Sequence, residues 1–198
     1  MPVSPSHGHG RDGMREIWTV GHWTCPEEDF IGRLDAQGID TLADVRAHPG
    51  SRRSPQFSAG TMRDWLETAE IDYVYFEELG GRRRKQDVDP ETNAGWRNAS
   101  FKNYADYTLL PDYERGITRL TSLADRDRVA VMCGEPMPWR CHRLLIANTL
   151  TARGWTVRHI MATGEPRVHE LGAWGAAPQV DGRGRVTYPE READQPEE

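Results

Sequence analysis

The sequence predicts an α/β fold: one three-layer domain over residues 15–163 with a mostly parallel, Rossmann-like sheet of about five strands. Three observations predict it. Short apolar, β-prone runs recur along the chain, helical patterns separate them, and Gly or Pro marks most junctions. A chain of 198 residues suffices for one core of ordinary size.

Residues 17–20 form the first strand, which ends at Gly21 and His22. Thr24 and Pro26 open a helix whose first turn carries Glu27, Glu28 and Asp29, where negative charge is favoured. Phe30, Ile31 and Leu34 make its apolar face, and Gly38 stops it. Residues 40–45 are the second strand, leading into Arg46, His48 and Pro49. Met62, Trp65 and Leu66 place a helix around 61–69, and residues 72–76 are the third strand.

A run of Gly80, Gly81, Arg82, Arg83, Arg84 and Lys85 follows, and the polar stretch 86–97 is long enough for a lid or binding loop. Helical pattern resumes over 98–110, and Pro111 begins another helix with Ile117, Leu120 and Leu123 on one face. Residues 128–132 are the fourth strand. Leu144, Leu145, Ala147 and Leu150 make a helix closed by Gly154, and residues 155–161 are the fifth strand.

Both ends are poor core material. Residues 1–14 mix Gly, Pro, Ser and His, and the sequence predicts a disordered tail there. Residues 164–198 are rich in Pro and Gly and end in EREADQPEE, which predicts a largely disordered acidic tail. Eight acidic and four basic side chains over 165–198 account for most of the net charge of -6. The central domain is therefore near neutral, and the placement of its cations says more than their number. Hydrophobic residues are 37% of the chain and the mean hydropathy is -0.75. No apolar run reaches the length of a membrane span, and the N-terminus lacks an apolar leader. Three cysteines with no framework spacing predict a reduced, cytoplasmic protein.

Right-handed crossovers put every parallel strand's C-terminal end on one edge, where ligands bind in such sheets. The loops at that edge carry His22 and Cys25, then Asp44, Arg46, His48, Arg52 and Arg53, then Arg82 and its basic neighbours. The last of them carries Cys133, Glu135, Arg140, Cys141, His142 and Arg143. A near-neutral domain thus gathers reactive and cationic side chains on one rim. Cys133, Glu135 and His142 are the candidate catalytic residues: a strand-terminal thiol, an acid or base, and a proton carrier. His22, Asp44, Arg46, Arg52, Arg82 and Arg143 are the candidates for holding an anion. Each has a plainer reading: a buried thiol fills space, a carboxylate charges a helix start, and an arginine run is a solvated loop.

A transition metal is a separate candidate. The spacing of Cys133 and Cys141 is not a zinc-knuckle C-x-x-C, yet Cys133, Cys141 and His142, with His22 and Cys25, can meet across loops. Walker A and HExxH patterns are absent, and no GxGxxG links a predicted strand to a helix. A tyrosine-phosphatase loop wants Arg where Trp139 stands, and the two prolines after Cys133 differ from a compact rhodanese loop.

Several stretches together resemble the DUF488 family. They are Thr19-Val20-Gly21-His22, then residues 42–46 with Pro49 and Arg52, residues 79–82, and residues 101–107. Residues 131–135 with Cys141-His142-Arg143 complete the set. The resemblance runs in order from about residue 17 to 162 and implies an α/β fold without an established reaction. Cys25 and the acidic tail lie outside it.

The leading expectation is an enzyme acting on a small anionic or nucleotide-like substrate through a Cys/Glu/His/Arg site. The alternative is a non-catalytic nucleic-acid-binding or repair-accessory module, with Trp96, Phe101, Tyr104 and Trp139 as stacking candidates. A metal-binding or redox-sensing protein is the third.

Overall fold

The protein is described by a computed structural model covering residues 15–50 and 53–190. β1 (Glu16–Gly21), β2 (Thr41–Asp44), β3 (Asp72–Tyr75), β4 (Val129–Cys133) and β5 (Thr156–Ile160) pair in parallel. A sixth strand, β6 (Arg167–Val168), adds antiparallel to β5, giving the order β3-β2-β4-β1-β5-β6. The five expected strands are all present within a residue or so of their predicted ends. The antiparallel sixth strand is two residues long, too short for a pattern to reveal.

Helices cover both faces. α1 (Glu27–Asp35) and α2 (Ala59–Thr68) lie on one face, and α3 (Ala99–Tyr107), α4 (Pro111–Ala124) and α5 (Arg143–Ala152) lie on the other. The two-residue alternation of strand side chains divides the apolar residues between them. Trp18, Val20, Leu42, Ala130 and Met132 meet Phe30 and Leu34 of α1 and Met62 and Leu66 of α2. Ile17, Ala43, Val131 and Val157 meet Tyr104, Ile117 and Leu145 on the opposite side. Phe30 and Leu34 are wholly buried, and each such side chain contributes roughly 1.5–3 kcal/mol. Among the described residues no helix is long and apolar enough to cross a membrane.

The segment after residue 164 departs from the sequence expectation. Residues 165–190 pack on the domain, while 191–198 and 1–14 lie outside the described residues. β7 (Gln179–Val180) and β8 (Val186–Thr187) form a hairpin whose turn is closed by the Asp181 carboxylate, which accepts from the N–H groups of Arg183 and Arg185. Val186 and Tyr188 are buried. The physical reason lies in α5, where every residue from Arg143 to Leu150 is buried. A helix buried all round, its Arg143, Asn148 and Thr149 included, needs cover on every side. The sheet covers one side of α5 and the C-terminal segment helps to cover the other.

β1 and β4 are neighbours, but their outgoing loops leave to opposite faces, toward α1 and α5 respectively. This divergence opens a crevice at the C-terminal edge, the usual ligand position in an open α/β sheet.

Candidate functional site

The crevice holds a cavity of about 560 Å³. His22 comes from the end of β1, Arg46 and His48 from the loop after β2, Gly81 and Arg82 from the loop after β3, and Cys133 from the end of β4. Glu135, Arg140, Cys141 and His142 line it from the loop into α5, and Phe101 and Tyr104 from α3. Four strand ends therefore build one site.

At its floor, the ligand atoms of Cys133, Cys141 and His142 lie within 4.8 Å of one another. His142 precedes the first turn of α5. Its Nε2–H donates to the Val45 carbonyl at 2.9 Å, because a carbonyl can only accept. In the neutral ring, Nδ1 therefore carries a lone pair, and it faces Cys141 Sγ at 3.5 Å. Gly81 allows this placement: a Cβ there would stand 2.7 Å from Nδ1. The loop after β3 thus rests against the imidazole.

The two thiols differ. Cys133 is pushed well up, first by donating its hydrogen bond to Cys141 and then by burial. Burial also works against ionising Cys141. It is outweighed by the Cys133 hydrogen bond and the fields of His142 and Arg143, so Cys141 is held well below the usual thiol range. The sequence put Cys133 forward as the reactive thiol; the structure makes Cys141 the more acidic of the pair.

Glu135 stands on the cavity wall, half-buried, with one carboxylate oxygen accepting from the Met137 N–H at 3.2 Å. Arg82 and Arg140 are exposed at the mouth and have no ion-pair partner among the described residues. Of the basic run, Arg82 alone lines the cavity. Arg83 is spent on the carbonyls of Gly80 and Glu77 and on the face of Tyr107. Arg52 lies outside the described residues.

The four other anticipated anion holders are engaged by protein groups. Asp44 and Arg46 form a buried, bidentate pair, with contacts of 2.6 to 3.1 Å, and Tyr73 donates to the same carboxylate. Arg46 also donates to the Phe57 carbonyl at 2.7 Å, tying the loop after β2 to the sheet. His22 stacks on Phe57 with ring centroids 4.2 Å apart and donates from Nδ1 to the Trp23 carbonyl. Its burial pushes the imidazole down to about 4, so it is neutral near pH 7. Arg143 is 1% exposed and lies beneath the site, not on its rim. It donates to the Glu135 carbonyl and to Thr19 Oγ1, which holds the loop after β4 in place. Gly21 is required there, since a Cβ would collide with the Glu135 carbonyl.

Arg143 also begins a buried chain that sequence reasoning missed. An arginine can only donate, so Thr19 passes its proton to His159 Nδ1 at 2.8 Å. His159 Nε2 then donates to His169 Nδ1 at 3.0 Å, His169 Nε2 to Asn148 Oδ1 at 2.8 Å, and Asn148 to the Tyr188 hydroxyl at 2.8 Å. Both imidazoles are neutral, with burial pushing His159 down to about 3 and His169 to about 4. The stretch 86–97 is also pinned: buried Asn93 bonds Asp106 and the Tyr188 N–H, and this stretch does not line the cavity. Of the expected stacking residues, Trp96 packs on Phe101 and Trp139 on Trp174, while Phe101 and Tyr104 also line the cavity. Cys25 packs against the core under the opposite face and takes no part in the thiol cluster.

A family model described as "Domain of unknown function DUF488" matches residues 27–150. The chain belongs to the DUF488 family. No curated protein and no solved structure matches it. The matched stretch of this DUF488 chain includes Cys133, Glu135, Cys141, His142 and Arg143. His22 and the histidines of the buried chain lie outside it.

Proposed function

We propose that the protein is an enzyme acting on a small anionic or nucleotide-like substrate bound in this cavity. The observation that carries the reading is the pairing of a two-thiol, one-imidazole cluster at the cavity floor with two exposed arginines at its mouth, which have no ion-pair partner among the described residues. The volume is in the range of small-molecule sites, roughly 300–1,000 Å³. Arg82 and Arg140 would grip the anion, and guanidinium forks suit carboxylate and phosphate oxygens. The reacting group would then lie over Cys133, Cys141 and His142, with Glu135 at the wall as acid or base.

The test is a turnover and binding screen of phosphorylated and carboxylated small molecules, nucleotides included, on wild type, Cys141→Ser, Glu135→Gln and the Arg82→Ala/Arg140→Ala pair. Loss of kcat in the first two variants and a raised KM in the third are expected, with Cys25→Ser unchanged. Wild type that turns over none of these compounds, yet binds nucleic acid with a salt slope of about 0.7–0.9 log units per neutralised phosphate, would instead be the non-catalytic module.

A further inference from the structure

We propose that Cys133, Cys141 and His142 hold a zinc ion, with a fourth coordination position open to the cavity. The inference rests on reading the cavity as the working site, and it names the cofactor class that site would use.

The donor set fits first by type. Two thiolates and one imidazole are zinc ligands, and three protein ligands with one open position mark catalytic sites, not structural ones. It fits also by spacing. Zn–S and Zn–N bonds of about 2.3 and 2.0–2.1 Å in a tetrahedron separate sulfur from nitrogen by about 3.5 Å and the two sulfurs by about 3.8 Å. Cys141 Sγ and His142 Nδ1 are already 3.5 Å apart, and all three donor atoms fall within 4.8 Å. A contraction of about 1 Å completes the geometry.

The surroundings fit a metal as well. Metal-bound histidines usually donate their other ring N–H to a carbonyl or carboxylate, which fixes the tautomer. His142 does this through Nε2 to Val45, leaving Nδ1 bare toward the thiols. Charge balance supplies a further argument. Arg143 is buried without a carboxylate partner among the described residues, and its field reaches both cysteines. A divalent ion with two thiolates is neutral. Hydroxide or a substrate anion at the fourth position adds one negative charge, which Arg143 offsets. Glu135 stands on the same wall, placed to take a proton from a metal-bound water.

The experiment is elemental analysis of the full chain, purified without chelator, followed by exchange of the ion for cobalt(II). The expected result is about one zinc per chain. After exchange, a thiolate-to-cobalt charge-transfer band and the intense visible bands of a four-coordinate ion should appear, and azide should shift them by entering the open position. Cys133→Ser and His142→Gln should each lower zinc content at least tenfold while the far-ultraviolet circular dichroism stays native; Cys25→Ser should keep full occupancy. Three outcomes overturn the proposal: a chain that neither carries zinc nor takes up cobalt, equal occupancy in the folded Cys133→Ser variant, and cobalt bands indifferent to azide. Failure of the enzyme reading looks different, because stoichiometric zinc without turnover of any anion leaves the metal site standing. Turnover by metal-free protein leaves the enzyme standing without the zinc.

Discussion

Lowering the pH should unfasten the buried chain between Arg143 and Tyr188, and the size of the effect follows from its two histidines. His159 and His169 are almost wholly buried, and each ring donates one N–H and accepts one hydrogen bond. Protonating either ring turns an acceptor into a second donor facing a donor. In the unfolded chain an imidazole titrates near pH 6.5, whereas here burial depresses the two to about 3 and about 4. Between those values the unfolded chain binds more protons, so stability is full near neutral pH and falls as pH drops below about 6.5. At about pH 5 each ring accounts for a loss of about 2 kcal/mol, roughly 4 for the pair. His22, depressed to about 4 chiefly by burial, adds a loss of the same sign. Small domains are stable by only about 5–15 kcal/mol, so the loss is large. Urea unfolding at pH 7.5 and pH 5.0 measures it. His169→Gln keeps one acceptor and one donor but cannot titrate, so its acid loss should be smaller than that of wild type by about 2 kcal/mol. Equal acid losses in the two proteins would refute the assignment of neutral imidazoles.

Two further substitutions probe the frame of the site. Asp44→Asn leaves the Arg46 guanidinium buried beside a neutral amide, and breaking such a pair costs about 3–5 kcal/mol. Chemical denaturation should show that loss, and a change under about 1 kcal/mol would mean that the carbonyls of Phe57 and Pro49 satisfy Arg46 unaided. Gly81→Ala puts a methyl group 2.7 Å from His142 Nδ1, whose ring is held from the other end by Val45. A cost of about 1–3 kcal/mol in unfolding free energy is expected, and an unchanged value would show the ring free to swing aside.

The sheet was legible because its strands are buried on both faces and read as near-continuous apolar runs bounded by Gly, Pro and charge. Residues 129–133 show this most clearly, whereas 156–160 carry Arg158 and His159. The C-terminal segment was not legible from composition, because Gly and Pro lower its average even though a few side chains anchor it. Two signals were present. Asp181 and Gly182 stand between Gln179-Val180 and Val186-Thr187, which is turn chemistry between short strands. The other was α5 itself, whose lack of a polar face required a cover that residues 15–163 do not fully supply.

The same property of α5 explains why the sequence could gather the candidate residues at one edge but not say what each of them touches. Strand ends converge on one edge by topology, so His22, Arg46, Arg82 and Cys133 could be placed together without knowing any side-chain direction. Direction is what separates a rim arginine from a buried one. Arg82 and Arg140 reach the mouth, but Arg143 begins a helix with no solvent face, so its guanidinium turns beneath the loop. There it fastens Glu135 from below and orients Thr19, and through Thr19 the two histidines, Asn148 and Tyr188. The loop after β4 and the C-terminal segment are thereby ends of one hydrogen-bonded chain. A fold in which residues 165–190 help hold the cavity floor in place cannot treat them as an appendage, however polar their composition.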